Sequence, residues 1–263
     1  RGIVAAAVSS LFASKLVAAG FEGAESLVPL VFLVIVGTVL LGSLTAKPVA
    51  EALGVAEPDP QGFLILGAHP IARRIAAFLK EQGLGVMLAD TNWSNVAAAR
   101  LEGLPAYYGS LLSDRSDDEI RLSGLGRLLA LTSNDEANAL SALKYARAFG
   151  TQNVYQLAPG RAGTERDGLS TEQRGRVAFG RDVDYDRLER LFDRGAVLTR
   201  TELSERADAD DVRRRADASQ VPLFLLQNGS VKVLTEEGPA PETGATLVSL
   251  VAPDEPDAAE TAH

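Results

Sequence analysis

Two hydrophobic textures follow one another along this chain. From Gly2 to Ser14 (GIVAAAVSSLFAS) the positions are apolar or small, and from Ser26 to Ala46 (SLVPLVFLVIVGTVLLGSLTA) no charged residue occurs. An unbroken helix over the second stretch, at about 1.5 Å per residue, spans roughly the 30 Å hydrocarbon core of a bilayer. It reads as a transmembrane helix. The first stretch is dominated by Ala, Ser and Gly, residues that let helices pack closely in lipid, and reads as the end of an inner transmembrane helix. A secretory signal and a buried helical hairpin are the other readings, and the length of the uncharged second stretch weighs against both. Glu22 and Glu25 lie in the intervening turn and Lys47 follows the second helix. Basic flanks stay in the cytoplasm, which places the residues after Lys47 there. Lys47 and Pro48 are expected to stop the helix, closing a membrane segment over 1–50. Residues 51–60, with Glu57-Pro58-Asp59-Pro60, are expected to form a semi-rigid linker.

After the linker, short apolar runs alternate with amphipathic stretches, the pattern of a parallel sheet with crossover helices. Phe63–Leu66 is a buried strand, followed by the turn Gly67–Ala72 and a helix to about Gln82. Val86–Ala89 is a second strand ending at Asp90, with a helix through about Glu102. Leu104–Tyr108, closed by Gly109, is a third strand. Leu128–Leu131 is a fourth, ending in Thr132-Ser133-Asn134-Asp135, with a helix over Asp135–Phe149. Val154–Leu157 is a fifth. Five strands in this order predict a doubly wound, Rossmann-like α/β fold over 61–160. Arg161–Arg176 reads as a polar loop. Beyond it a helix from Tyr185 and strands near Ala196–Thr199, Pro222–Leu226, Val231–Leu234 and Thr246–Val251 predict a small α+β extension over 161–253. The tail 254–263, rich in Asp, Glu, Ala and Pro, is expected to be disordered.

Charge sharpens this division. The chain of 263 residues has a formal net charge of -9, yet only Arg1, Lys15, Glu22, Glu25 and Lys47 are charged before residue 51. The acidic balance lies on the soluble part and argues against nucleic-acid binding, which needs cationic surface to displace phosphate counterions. Cysteine is absent, which excludes disulfide and thiolate chemistry.

The chemistry suggested by the first strand–turn–helix is phosphate binding. A glycine there lets backbone N–H groups at a helix start approach phosphate oxygens, and an acidic residue after the second strand binds ribose hydroxyls. Gly67 and Asp90 fit these roles. His69 stands where a second glycine is usual, and Ala72 replaces the last glycine with another small residue. A fold that has lost its ligand is the competing reading of so degenerate a turn.

GFLILGAHPIARRIA, VMLADTNWSN, AYYGS and LLALTSNDEANAL resemble the TrkA-N, or RCK, domain. Arg1-Gly2-Ile3-Val4 and the stretch Ser26–Ala46 resemble the late membrane helices of NhaP-type sodium/proton antiporters, some of which carry such a domain at their C-terminus. The resemblance covers about residues 1–160. It implies a cytoplasmic domain regulating monovalent cation/proton antiport in a bacterial inner membrane, as a multi-pass protein and a homodimer. It also implies nucleotide contacts at Gly67, Ala68, His69, Ala72, Asp90, Gly109, Ser110, Thr132 and Asn134. Arg1 matches a family arginine near the transport site, whereas the family's cation-binding aspartates would precede Arg1. Because the His69 side chain occupies space that a dinucleotide pyrophosphate would need, AMP or ADP stands beside NAD(H) as the expected ligand. Val221–Pro253 loosely resembles the TrkA-C subdomain.

Other readings compete. A gating partner of a potassium channel or uptake system would carry the same domain, and a membrane-anchored NAD-dependent oxidoreductase the same fold. The latter lacks an acid/base other than His69, and no catalytic set is found, so the chain is expected not to be an enzyme. With His69 and His263 as the sole imidazoles, a zinc site is not expected. Asp182, Asp184 and Asp186 alternate like a calcium loop, but Arg187 stands where glycine is needed. Asp208, Asp210 and Asp211 beside Arg213–Arg215 read as exposed helix pairing. Trp93 and Tyr107 are candidates to stack on adenine, against the plainer reading that they pack beside the sheet.

Overall fold

In the computed structural model, residues 2–53, 60–114, 116, 120, 122–160, 175–203, 219–236, 238 and 244–253 are described. The expectations for Arg1, most of the linker, the loop 161–174, the charge cluster 208–215 and the tail 254–263 lie outside them. The chain divides into two compact units, Arg1–Pro58 and Asp59–His263.

The first unit holds helix α1 (Ile3–Ala18), a 3-10 turn (Ala24–Ser26) and helix α2 (Leu27–Ala52). The stretch Ala24–Ala46 is long and apolar enough to cross a membrane, and its most apolar 18 residues are not buried within the molecule. Its polar side chains suit an apolar solvent. The hydroxyl of Thr38 donates to the carbonyls of Val34 and Ile35, and that of Thr45 donates to Leu41. Ser9 and Ser14 in α1 do the same to Ala6 and Leu11, which satisfies polar groups that lipid cannot. At Gly2 a Cβ would come within 2.9 Å of Ile35 Cγ2, so this small residue lets the two helices approach. The expected stop at Lys47-Pro48 is corrected: α2 continues through Pro48 to Ala52. Proline removes one i to i−4 hydrogen bond and disfavours the preceding turn, but so near the end only one further turn is at stake.

The second unit begins with strand β1 (Gly62–Leu66), followed by α3 (Pro70–Glu81), β2 (Val86–Asp90), α4 (Trp93–Leu101), β3 (Ala106–Tyr108), β4 (Leu125–Ala130), α5 (Asp135–Phe149), β5 (Val154–Gln156) and β6 (Arg176–Val177). These strands form one sheet in the order β3-β2-β1-β4-β5-β6, every pair parallel. The expected doubly wound fold is present, with a sixth strand contributed from beyond residue 160. Both faces of β1 are covered: Phe63 and Ile65 enter one core, Leu64 and Leu66 the other. A strand buried on both faces reads as the continuous apolar run FLIL instead of an alternation.

The chain then forms α6 (Tyr185–Asp193) and an antiparallel sheet of β7 (Val197–Glu202), β8 (Gln220–Gln227), β9 (Ser230–Val233) and β10 (Thr246–Val251), in the order β7-β10-β8-β9. This sheet shares the larger core with the parallel one. Phe224 of β8, fully buried, meets Phe63 edge-on at 6.4 Å, stacks on Phe78 of α3 at 5.9 Å and meets Phe179 edge-on at 5.8 Å. Arg127 of β4 donates to the Val231 carbonyl at 2.7 Å. Residues on both sides of position 160 are thus packed as one body.

Candidate functional site

The strand order reverses between β1 and β4, so the chain leaves the C-terminal ends of these neighbours in opposite directions and opens a crevice there. β1 ends at Leu66 and the backbone swings through Gly67 at φ +107°, a region that residues with a Cβ rarely adopt. A Cβ at Gly67 would also press on the His69 ring at 3.1 Å and on Thr132 Cγ2 at 3.4 Å. The next N–H, of Ala68, donates to Oδ2 of Asp90 at 2.8 Å. His69 is the N-cap of α3, with Pro70 opening the first turn, where its missing N–H costs nothing.

Asp90, at the end of β2, receives two further donors: the Asn92 N–H on Oδ1 at 2.8 Å and Asn95 Nδ2 on Oδ2 at 2.9 Å. A carboxylate offers about four lone-pair sites, which leaves room for one ligand hydroxyl. The β4 turn is held from within. Thr132 donates its N–H and its hydroxyl to Oδ1 of buried Asn138, at 3.2 and 2.7 Å, and accepts Asn138 Nδ2 on its carbonyl at 2.8 Å. Asn134 caps α5 by accepting the Ala137 N–H at 2.9 Å. Gly109, at φ +149°, follows β3 with the Tyr107 ring 2.9 Å from where its Cβ would stand.

His69 does not cap its helix with its side chain. Its Nε2 lies 2.8 Å from the carbonyl oxygen of Leu131, so it ties α3 to the end of β4. Nδ1 is buried without a partner. Burial lowers the pKa of the ring, against the Leu131 carbonyl and Asp90, which raise it. Tyr185 of α6 meets this imidazole edge-on at 5.2 Å, donates to Glu189 at 3.1 Å, and has its phenol pushed up to about 12 by burial and Glu189.

These elements enclose a cavity of about 290 Å³ lined by His69, Asp90, Ser110, Thr132 and Asn134 together with Tyr185 and others. Its volume is at the small end of ligand sites, about 300–1,000 Å³. Of the residues expected at the site, Gly67, Ala68, Ala72 and Gly109 shape the backbone and do not line the cavity. Trp93 and Tyr107 do not line it either. Trp93 meets Tyr108 edge-on at 5.4 Å under the Arg100 guanidinium, which is the packing reading. Arg1 lies outside the described residues.

Residues 63–160 match the model of the TrkA-N domain. The chain carries a TrkA-N domain. No curated protein matches it. Among solved structures, it is similar to the NAD(P)-binding domain of an exopolyphosphatase-related protein from Archaeoglobus fulgidus, at 16% identity over 51% of this chain and 95% of that one, TM-score 0.39. It is similar to the RCK domain of GsuK, at 16% identity over 74% of this chain and 44% of that one, TM-score 0.35. It is also similar to the GsuK channel bound to NAD, at 15% identity over 94% of this chain, TM-score 0.38, and spans 53% of that structure's length.

Within the TrkA-N domain, sequence reasoning passed over Asn95 and Asn138. Both carry a readable signal: Asn95 lies one helical turn inside α4 from the loop after Asp90, and Asn138 lies one turn inside α5 from its cap. Tyr185 lies beyond the domain, and no local pattern marks it. Asp182 and Asp184 have structural partners: Asp184 caps α6 by accepting the Arg187 N–H at 2.8 Å, and Asp182 pairs with the Arg187 guanidinium.

Proposed function

We propose that this chain is the C-terminal part of a monovalent cation/proton antiporter in a bacterial inner membrane, whose cytoplasmic TrkA-N domain binds an adenine nucleotide and regulates transport without catalysing a reaction. The observation carrying the nucleotide reading is the closed turn at the switch point, in which Asp90 holds the Ala68 N–H, lines the cavity and has acceptor capacity left for one more donor. Adenosine fits with a ribose hydroxyl on Asp90 and its phosphate toward the start of α3, where helix N–H groups favour an anion. NAD(H) belongs among the ligands because TrkA-N domains bind it. His69 narrows the place of a pyrophosphate and favours AMP or ADP. The apolar α2 and the order of membrane segment before TrkA-N domain support the antiporter, working as a homodimer. Regulation requires that nucleotide bind two conformations with different affinity.

Isothermal titration of the detergent-solubilised chain with AMP, ADP, ATP, NAD and NADH tests this reading. AMP or ADP is expected to bind more tightly than NAD, and His69→Gly to narrow or reverse that order. Silence with all five would leave a TrkA-N fold without its ligand. Ion flux of the longer protein in proteoliposomes, with sodium or potassium moving against protons, separates the antiporter from a channel-gating partner.

A further inference from the structure

Helix α5 buries one side and leaves the other to solvent. Asn138, Ala139, Ser141, Ala142 and Tyr145 are buried, with Ala142 and Tyr145 in one core with Leu128 of β4 and Val154 of β5. Glu136, Leu140, Leu143 and Arg147 are exposed, and their steps of four, three and four residues align them in one stripe along the opposite side. Leu140 and Leu143 are 46% and 45% exposed. The loop that carries exposed Leu112 is fastened to the same helix by Lys144, which donates to the Leu111 and Ser113 carbonyls at 2.9 and 3.1 Å. Single exposed leucines are ordinary on a protein surface. The order of the stripe is what sets these apart.

Along the stripe the residues run acid, leucine, leucine, base. The midpoint between Glu136 and Arg147 is also the midpoint between Leu140 and Leu143, at the peptide joining Ser141 to Ala142. A two-fold axis through that point, perpendicular to the helix, exchanges the two leucine positions and exchanges the two charged positions. A second α5 laid antiparallel across this axis therefore sets Leu140 against the partner's Leu143 and Glu136 against the partner's Arg147. Each pairing occurs twice. The stripe is complementary to itself, as a two-fold interface requires. A parallel copy would instead set the acids against each other, and likewise the bases. Among the described residues, neither Glu136 nor Arg147 has an ion-pair partner within the chain.

We propose that α5 is the docking face for a second copy of this chain, packed antiparallel, with the leucines at its centre and a Glu136–Arg147 pair at each end. The inference gives the homodimer reading above its surface and rests on that reading. Covering the leucines removes apolar area from water. The charged ends select the antiparallel direction by penalising the parallel one. Asn134, Ala137 and Ser141 line the nucleotide cavity, so the end of β4 and this one helix border both the cleft and the contact. The two clefts of the pair are then joined through two touching helices.

The chain has no cysteine, so disulfide trapping in the detergent-solubilised protein reads this contact directly. Two differently tagged chains, one with Leu140→Cys and one with Leu143→Cys, are mixed, allowed to exchange and oxidised. The mixed disulfide is expected to dominate, because like pairs are displaced by about 4.5 Å along the helix axis and disulfide geometry tolerates little displacement. Adding Glu136→Arg to both chains places like charges at both ends and is expected to cut the mixed disulfide about tenfold. Glu136→Arg together with Arg147→Glu restores opposite charges and is expected to restore the yield. That rescue separates a contact between copies from an effect within one helix, where these two residues stand about 16 Å apart. All four side chains are exposed, so each variant is expected to keep the circular dichroism of the parent. Like pairs equal to or exceeding the mixed pair would overturn the antiparallel arrangement, as would charge reversals without effect. Absence of every disulfide from a chain that light scattering finds dimeric would overturn this surface and leave the homodimer standing. A monomer without disulfides would overturn both and leave the stripe to a different protein.

Discussion

The backbone N–H of Ala68 donates to the carboxylate of Asp90 across 2.8 Å, joining the turn after the first strand of the parallel sheet to the end of the second. Asp90 therefore supports the site before any ligand arrives. Asp90→Ala removes the acceptor for Ala68, Asn92 and Asn95 together, and a hydrogen bond to a charged group is worth about 1.5–3 kcal/mol. The ligand-free variant is expected to lose at least about that much unfolding free energy, measured as a lower denaturant midpoint. It is also expected to bind adenosine about ten- to a hundredfold more weakly. Weaker binding at unchanged stability would show that Asp90 does not hold the turn.

The two rings that meet over the cleft set opposite limits on pH stability. His69 has a lowered pKa in the fold, so on acidification the unfolded chain takes its proton first, at about 6.5. Stability is expected to fall as pH drops below that value and through the lowered folded pKa, more steeply than in His69→Gln. Tyr185 is raised from 10.0 to about 12, so in alkali the unfolded chain loses its proton first. Stability is expected to decline from pH 10 toward 12, with the slope reduced in Tyr185→Phe. Urea midpoints across pH, compared variant by variant, measure both; identical slopes would contradict the environments described for these rings.

Phe224 links the antiparallel sheet to the parallel one through Phe63, Phe78 and Phe179. Phe224→Ala is expected to cost about 3–5 kcal/mol. Because one core serves both sheets, loss should appear in a single unfolding transition of the TrkA-N domain and the strands that follow it. Two separated transitions in calorimetry would show that they are independent bodies.

The sequence made legible what neighbouring residues decide. FLIL with Gly67, and VMLA with Asp90 at its end, identified two strands and the turn between β1 and α3, because burial on both faces and a positive φ leave local marks. The strands of the antiparallel sheet were legible from their apolar runs. β6 was not, because Arg176–Val177 is a strand only by pairing with β5. Pro48 misled in the other direction: its local cost is real, yet α2 runs one turn past it. At the site, Asp90 was read for the ligand alone, while the structure gives it three backbone and side-chain donors. His69 was read as an obstruction, whereas the strand-end carbonyl it binds lies 62 positions away, beyond any local pattern.

Tyr185 stands outside the segment that matches the TrkA-N domain, yet its ring forms a wall of the cavity. The domain is therefore not an exchangeable cassette. A chimera that transplants only residues 63–160 into another protein would carry the turn, Asp90 and His69 but leave the imidazole facing water. It would inherit the ligand's contacts without the surroundings that tune them.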